Sequence, residues 1–301
     1  MELAIIGLGK MGGNMAERLL KGGHRIIGYD RSEAALARLA HNGGVAVHSL
    51  AELAAAFTGP RAIWLMVPAG TAVDETLAAL QSLGAAGDLF IDGGNSNYKD
   101  TMARGRRLAD AGFDYVDVGT SGGVWGLSEG YSMMVGGAEA AVERLRPVLE
   151  TLAPGKNKGW GRVGPSGAGH FVKMVHNGIE YGMMQAFAEG FAIFHKKTEF
   201  SLDLPQIAEI WQTGSVVRSW LLDLLAKALQ ENPKMEGIAP FVPDSGEGRW
   251  TVFEAVDLDV PAPVITAALM TRFRSRDQEA FYDRLLSALR NQFGGHDVKK
   301  D

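Results

Sequence analysis

The feature that most constrains the fold is a glycine-rich turn at the start of the chain. A short apolar segment, Leu3–Ile6, runs directly into Gly7-Leu8-Gly9-Lys10-Met11-Gly12, and a helical pattern follows. A G-x-G-x-x-G between a strand and a helix is typical of a dinucleotide-binding unit. Glycines let a pyrophosphate approach the backbone closely at the positive end of the helix. Because such motifs also occur by chance, a plain strand–helix turn is the alternative interpretation.

A carboxylate near the end of the next strand favours the dinucleotide interpretation. Asp30 follows the apolar segment Arg25–Tyr29, close to the spacing of about 20 residues expected of a ribose-binding acid. A carboxylate there accepts hydrogen bonds from a free ribose 2′-hydroxyl and repels a 2′-phosphate. We therefore expect NAD to be preferred. Arg31 and Ser32 follow directly and could accommodate a 2′-phosphate, so NADP remains the second option.

Short apolar segments alternate with helical ones up to about residue 160. After the two strands already named, further strands are predicted at Ala62–Val67, Leu89–Asp92 and Tyr115–Val118. This alternation predicts an α/β, Rossmann-type domain with a doubly wound, mainly parallel sheet, which we place at residues 1–164. Only helical patterns follow the glycine-rich stretch that ends near residue 169. We therefore predict an all-α C-terminal domain for substrate binding and oligomerisation over residues 165–301.

Composition limits the classes of function. Of the 301 residues 46% are hydrophobic and 22% charged, as in soluble globular proteins, and a net charge of -5 argues against nucleic acid as a partner. The absence of cysteine excludes disulfides, thiolate nucleophiles and Cys-ligated zinc, and we expect no metal. No signal peptide and no apolar stretch of about 18 residues is found, which predicts a cytoplasmic protein without a membrane partner.

Three further glycine-rich segments follow predicted strands, where ligands bind to open parallel sheets. The first, Val67-Pro68-Ala69-Gly70, is a candidate cofactor contact. The second, Asp92-Gly93-Gly94-Asn95-Ser96, offers the amide of Asn95 to cofactor or substrate. The third contains Ser121-Gly122-Gly123, whose hydroxyl and backbone N–H groups suit a carboxylate or phosphate. The alternative is that loops after strands simply require turn residues.

A stripe of polar residues lies on the first long helix of the C-terminal region. At 100° per residue, one face collects Lys173, His176, Asn177, Glu180 and Tyr181. Such a stripe is also what a solvated face of an amphipathic helix looks like. Proton-transfer groups, an amide and a phenol together favour a catalytic face instead.

With these motifs the chain resembles the 6-phosphogluconate dehydrogenases, within the β-hydroxyacid dehydrogenase superfamily. The motifs that carry the resemblance are Gly7–Gly12 with Asn14, Asp92–Ser96, Ser121–Gly123, Lys173–Tyr181, Gly248–Thr251 and Phe293–His296. The chain is shorter than the long form of the family and resembles the short form. The family's activity implies oxidative decarboxylation of 6-phospho-D-gluconate to D-ribulose 5-phosphate and CO2, without a metal.

The resemblance implies roles for individual residues. Lys173 is expected to act as general base and then acid, and Glu180 to return a proton to C1 of the enediol. Lys173 must begin neutral, so we expect its pKa to be lowered by burial or nearby cations. His176 and Asn177, with Asn95 and the Ser121-Gly122-Gly123 loop, are expected to hold the carboxylate and hydroxyls of the sugar acid.

The phosphate and the neighbouring subunit are expected to involve later residues. By resemblance, the phosphate contacts are Tyr181, Arg249, Thr251 and Arg274. Considered without the resemblance, the spacing of Arg272, Arg274 and Arg276 is more typical of a solvated helix face. Arg290 and His296 match a C-terminal motif that completes the site of another subunit, which implies a homo-oligomer, dimer or tetramer.

Two positions depart from the long form. Val124 stands where the long form has a glutamate near the nicotinamide, and Asp30-Arg31-Ser32 replaces Asn-Arg-Thr.

Two other functions are compatible with the sequence. One is a different β-hydroxyacid dehydrogenase acting on a small unphosphorylated hydroxy acid, which leaves Glu180, Tyr181 and Arg249 unexplained. The other is a catalytically silent nicotinamide-binding sensor, which needs no pair such as Lys173 and Glu180.

Overall fold

The chain divides into two compact units, Met1–Asn177 and a second that begins at Gly178. The computed structural model describes residues 1–300. The first unit is built on eight strands: β1 (Glu2–Ile6), β2 (Arg25–Tyr29), β3 (Val45–Val47), β4 (Ala62–Leu65), β5 (Leu89–Asp92), β6 (Asp114–Ser121), β7 (Ser132–Gly137) and β8 (Trp160–Gly164). Its helices are α1 (Lys10–Lys21), α2 (Glu33–His41), α3 (Leu50–Ala55), α4 (Thr71–Leu83), α5 (Tyr98–Asp110), α6 (Gly126–Glu129) and α7 (Glu139–Leu152).

All eight strands belong to one sheet, in the order β3-β2-β1-β4-β5-β6-β7-β8. Every neighbouring pair is parallel except β6 and β7. The predicted doubly wound, mainly parallel sheet is therefore confirmed. The strand order reverses between β1 and β4, so the loops that leave these two strands flank the crevice where such sheets bind ligands.

Three strands were not predicted, each for a physical reason. β3 has only three residues, too few for a periodic signal. β7 contains two glycines and pairs antiparallel with β6. β8 lies at the edge of the sheet, and its residues are at most half-buried, so it lacks the apolar run of a central strand.

Apolar cores cover both faces of the sheet. One core packs strand residues such as Leu3, Ile5 and Trp64 against Met15 of α1 and Leu145 of α7. The other packs residues such as Ile27 and Phe90 against α3 and α4. Residues Leu3–Ile5 of β1, all of β4 and Leu89–Ile91 of β5 are almost fully buried, which explains their unbroken apolar sequences.

Within residues 178–300, every regular element of the second unit is a helix. Its elements are the later part of α8 (Ala168–Lys196), then α9 (Leu204–Gln212), α10 (Trp220–Glu231), α11 (Glu247–Asp257), α12 (Pro263–Arg276) and α13 (Phe281–Gly294). The predicted all-α region is confirmed. Side chains of Asp203 and Ser219 accept hydrogen bonds from the first turns of α9 and α10, which fixes where both helices begin. Within residues 1–300, no helix combines the length and apolar character needed to cross a membrane.

Candidate active site

The glycine-rich turn after β1 is shaped by backbone contacts that exclude side chains. Gly7 has a φ of +93°, and a Cβ there would lie 2.5 Å from the carbonyl oxygen of Met66 in the loop after β4. A Cβ on Gly12 would overlap the carbonyl oxygen of Gly7, whereas Gly9 faces open space. The turn therefore brings bare backbone to the start of α1, and its open side at Gly9 and Lys10 is exposed. This geometry fits a pyrophosphate.

Asp30 organises the edge of this turn. Its Oδ2 accepts from the backbone N–H of Leu8 at 2.6 Å, and its Oδ1 accepts from the N–H of Ser32 at 2.8 Å. The hydroxyl of Ser32 caps α2 by accepting from Ala35 N, and Arg31 is exposed. A half-buried carboxylate with both oxygens oriented beside an open glycine turn fits the ribose of a dinucleotide. The residues present therefore suit a nicotinamide dinucleotide.

A buried arginine connects the two glycine-rich loops that leave β4 and β5. Arg104 of α5 donates to both carboxylate oxygens of Asp74, at 2.8 and 2.9 Å, and to the carbonyl of Gly70 at 3.2 Å. Its Nη1 lies 3.7 Å from Oδ2 of Asp92, which also accepts from the Ser96 hydroxyl at 2.8 Å. The segments that contain Val67–Ala69 and Asn95 are therefore held by one guanidinium, with Asn95 itself exposed.

Lys173 lies against the end of β6. It is buried, and its Nζ donates to Oδ1 of Asn177 at 2.8 Å. The same amide oxygen lies 3.1 Å from Nδ1 of His176. A Cβ on Gly119 would overlap the Cβ of Lys173, so the lysine stem packs on β6 two residues before Ser121. Lys173, His176 and Asn177, predicted as one face, are thus brought together beside the strand that leads into Ser121-Gly122-Gly123.

The second unit has a cavity of about 310 Å³ beside the next turns of α8. Its lining consists of Glu180, Tyr181, Met184, Pro243, Asp244, Ser245 and Arg272. The Arg272 guanidinium lies 3.5 Å from the centre of the Tyr181 ring, and Ser245 N donates to the Tyr181 hydroxyl at 3.2 Å. A hydroxyl, a phenol and a guanidinium therefore share one wall, a combination suited to phosphate oxygens.

Two arginines next to this cavity share one carboxylate. Arg249 donates to both oxygens of Asp244, at 2.8 and 3.1 Å, and Arg276 donates to Oδ2 at 2.7 Å. The hydrogen bond from Arg249 is the main reason why the pKa of Asp244 is lowered. Two further carboxyl groups belong to this region, because Glu180 also lines the cavity and Glu247 accepts a hydrogen bond from the Ser245 hydroxyl.

The structure separates the other predicted phosphate residues from the cavity wall. Thr251 is buried where α11 crosses α8: it donates to the carbonyl of Glu247 at 2.8 Å, and a Cβ on Gly178 would lie 2.7 Å from its methyl. Arg274 is exposed and donates to Asp283 at 2.6 Å. The two C-terminal candidates, Arg290 and His296, are exposed, and the backbone carbonyl of His296 accepts from Asn291.

Sequence reasoning missed Arg272 and Ser245 as members of this wall. The helical period of α12 is enough to separate Arg272 from Arg274. Arg272 and Arg276 are four residues apart and lie on one face of α12, whereas Arg274 is rotated about 200° from Arg272. Ser245 gave no signal, because it precedes α11 in an irregular segment.

Comparison with known proteins decides the family. The family model described as the NAD binding domain of 6-phosphogluconate dehydrogenase matches residues 2–161, and the model of the 6-phosphogluconate dehydrogenase C-terminal domain matches residues 169–300. This chain belongs to the 6-phosphogluconate dehydrogenase family. It is accordingly an oxidoreductase with a nicotinamide-binding domain, as the sequence motifs predicted.

Individual members of the 6-phosphogluconate dehydrogenase family are similar over all or most of the chain. The NAD(+)-dependent, decarboxylating enzyme of Haloferax volcanii is 42% identical over 301 residues, covering 100% of this chain and 99% of the relative. The NADP(+)-dependent, decarboxylating enzyme of Bacillus subtilis is 37% identical, and the match covers 92% of this chain but 62% of the relative. The solved 6-phosphogluconate dehydrogenase of Plasmodium falciparum aligns with a TM-score of 0.84 at 29% identity, over 100% of this chain and 66% of its own.

Proposed function

We propose that this protein catalyses the NAD-dependent oxidative decarboxylation of 6-phospho-D-gluconate to D-ribulose 5-phosphate and CO2. The observation that carries the proposal is the environment of Lys173. Its buried amine is oriented by Asn177 at 2.8 Å, beside the strand that presents Ser121, Gly122 and Gly123. A buried amine next to hydroxyl and backbone N–H donors is the arrangement that proton abstraction from a hydroxy acid requires.

The proton transfers follow from two groups on α8. A bound nicotinamide supplies the acceptor for the hydride that leaves C3 of the sugar acid. Lys173 removes the proton of the 3-hydroxyl, which leaves a β-keto acid. The protonated Lys173 then polarises this new carbonyl, so that the carboxylate at C1 departs as CO2 and its electron pair forms an enediol. Glu180, seven residues later on the same helix, returns a proton to the carbon that lost the carboxylate, which becomes C1 of ribulose 5-phosphate.

The carboxylate and hydroxyls of the substrate need donors that are already oriented. His176 and Asn177 share a hydrogen bond on α8, and Asn95 leaves the loop that Asp92 and Arg104 hold. We assign these residues, with the Ser121-Gly122-Gly123 loop, to the sugar-acid end of the substrate. Donors that are oriented before the substrate binds lower the entropic cost of reaching a reactive geometry, and this raises the rate.

We assign the substrate phosphate to the cavity of the second unit. Arg272, the Tyr181 hydroxyl and Ser245 line one wall, and Arg249 and Arg276 lie beside it, both bound to Asp244. Glu180 lines the same cavity. A phosphorylated substrate therefore explains an arginine wall next to a proton donor, which a small unphosphorylated hydroxy acid does not.

Asp30 supports NAD as the preferred cofactor. Its carboxylate is fixed at the edge of the glycine turn by Leu8 N and Ser32 N, where a 2′-phosphate would meet a negative charge. Arg31 is exposed beside it and is the group that would accept NADP. The NAD(+)-dependent Haloferax volcanii relative is consistent with this preference.

We further propose a homo-oligomer, a dimer or a tetramer, in which the C-terminal residues complete a neighbour's site. Large apolar side chains of α13 are exposed in the single chain: Phe281, Leu285, Leu286, Leu289 and Phe293. Such a stripe on a terminal helix is typical of a subunit interface. Arg290 and His296 accompany it, and both suit an anionic substrate.

A comparison of substrates tests the proposed function. Cofactor reduction should be followed at 340 nm with 6-phosphogluconate, with gluconate and with 3-hydroxyisobutyrate, each with NAD and with NADP. We expect efficient turnover of the phosphorylated acid only, with NAD favoured, and loss of turnover in Lys173→Met. Preferred turnover of an unphosphorylated acid would instead establish a different β-hydroxyacid dehydrogenase.

A further inference from the structure

One face of β6 leads from a buried carboxylate to the active site. Residues two apart in a strand point to the same side, so Asp117, Gly119 and Ser121 share a face of the sheet. Ser121 belongs to the candidate substrate loop, and Gly119 makes room for the stem of Lys173. Asp117 completes this row and is fully buried.

Asp117 binds the backbone at the beginning of α8. Its Oδ1 accepts from the N–H of Gly167 at 2.7 Å, and its Oδ2 accepts from the N–H of His170 at 2.9 Å. The first N–H groups of a helix have no partner within the helix, and a negative charge is favourable at that end. Asp117 therefore satisfies two of these groups from the neighbouring strand.

A second contact holds the same turn from the side of α5. His170 is buried, and its Nδ1 lies 2.8 Å from the hydroxyl of Thr101. Gly169, between the two anchored positions, approaches β6 so closely that a Cβ there would lie 2.7 Å from the carbonyl oxygen of Asp117. The first turn of α8 is thus fixed by both its backbone and its side chain.

The consequence concerns Lys173, which follows His170 by one helical turn. A helix anchored at His170 cannot slide along or rotate against β6 without moving Lys173 away from Gly119. Displacing a catalytic group by about 1 Å can lower a rate by about 100-fold. We propose that Asp117 is a positioning residue, which fixes Lys173 relative to Ser121-Gly122-Gly123. This inference rests on the proposed role of Lys173 in proton transfer.

Asp117→Asn tests the inference with a side chain of nearly the same shape. Asparagine keeps one acceptor, but its amide NH2 would face a backbone N–H and lose the second bond. We expect kcat to fall about 100-fold, as for a displaced catalytic group, with the KM for NAD unchanged. We also expect a larger isotope effect with substrate deuterated at C3, because the chemical step then limits turnover. Amide hydrogen exchange at Gly167 and His170 should become faster.

Two further variants keep the test decisive. Asp88→Asn is the matched control, because Asp88 is also buried and accepts from Ala85 N at 2.9 Å, but directly precedes β5, at the amino-terminal end of that strand. It should leave kcat and the isotope effect unchanged. If Asp117→Asn does not fold, Thr101→Val removes only the second anchor and should lower kcat about fivefold, the value of one neutral hydrogen bond.

The outcomes separate the inference from the proposed function. Faster exchange at Gly167 and His170 with an unchanged kcat would overturn the positioning role. Equal losses of kcat in Asp117→Asn and Asp88→Asn would also overturn it, because they would reflect general destabilisation. Wild-type turnover by Lys173→Met would contradict the proposed function itself, whereas the exchange rates would still show whether Asp117 anchors α8.

Discussion

The backbone N–H of Leu8 donates a hydrogen bond to the carboxylate of Asp30, with 2.6 Å between Leu8 N and Asp30 Oδ2. The contact joins the glycine turn after β1 to the end of β2. It fixes the carboxylate at the place where the ribose of a bound dinucleotide would lie. One oxygen of Asp30 thus supports the turn, and we propose that the same charge selects the cofactor.

We predict that Asp30→Ala changes the cofactor preference. A hydrogen bond to a charged group contributes about 1.5–3 kcal/mol, so kcat/KM with NAD should fall about 10- to 100-fold. Because the repulsion of the 2′-phosphate also disappears, kcat/KM with NADP should rise relative to NAD. Initial rates with both cofactors check this. An unchanged ratio would show that Asp30 does not contact the ribose. Glu33→Gln, an exposed acid on the neighbouring helix α2, is the control.

A pair of glycine variants separates folding of the turn from cofactor binding. In Gly12→Ala the new Cβ overlaps the carbonyl of Gly7, so we expect a loss of about 1–3 kcal/mol in the free energy of unfolding. In Gly9→Ala the Cβ enters open space, on the side where we place the pyrophosphate of a bound dinucleotide. Its thermal midpoint should stay at the wild-type value while the Kd for NAD rises about tenfold, or 1.4 kcal/mol. Thermal melts and NAD titrations measure the two effects, and tight NAD binding by Gly9→Ala would contradict the assigned site.

Two arginines of α12 give opposite predictions for phosphate binding. Arg272→Ala removes a guanidinium from the cavity wall, so the KM for 6-phosphogluconate should rise about 10- to 100-fold. Arg274→Ala is the matched control: this arginine is exposed and binds Asp283, so it should change KM little. Inorganic phosphate should inhibit the wild type competitively and Arg272→Ala more weakly. The reverse pattern would return the phosphate contact to Arg274.

The ion pair between Asp74 and Arg104 predicts a dependence of stability on pH. The hydrogen bond from Arg104 lowers the pKa of Asp74 below its ordinary value. The pair therefore stabilises the fold fully above the unfolded pKa of about 3.9, and loses its contribution as the pH falls through the lower folded pKa. Asp74→Asn should thus lower the thermal midpoint at neutral pH, but not at the acidic end of a pH series. The effect is small because the carboxyl is half-exposed.

Melts at each pH check this prediction, with Glu75→Gln, an exposed neighbour on α4, as the control. A difference between wild type and Asp74→Asn that stayed constant down to acidic pH would contradict it. Asp74→Asn should also raise the KM for NAD, because Arg104 connects the loops at Gly70 and Asp92.

The sequence predicts those parts of the molecule that depend on local pattern. The glycine turn, Asp30 and the one-sided face of Lys173, His176 and Asn177 all follow from spacing, because strand and helix periods are fixed. Strands β1, β2 and β5 were predicted because they are continuous apolar runs. Short β3, antiparallel β7 and polar edge strand β8 lack such a run.

Other features depend on contacts between distant segments. No pattern shows that Asp117 of β6 caps α8, or that Arg104 joins Gly70 to Asp92, because each pair comes together only in the folded sheet. The helical period of α12 identifies Arg272 as a cavity residue only once the face of α12 that packs on Tyr181 is known. The reaction was predicted from the resemblance to a family. The contacts in the folded chain explain why each residue lies where it does.

The central claim is that one active site both oxidises and decarboxylates a phosphorylated sugar acid. The most direct measurement uses 6-phosphogluconate labelled with 14C at C1, with NAD, and records NADH and released label in the same reaction. We predict equal amounts of NADH and labelled CO2, and neither product from Lys173→Met. NADH formed without release of label, or no turnover of this substrate with either cofactor, would contradict it.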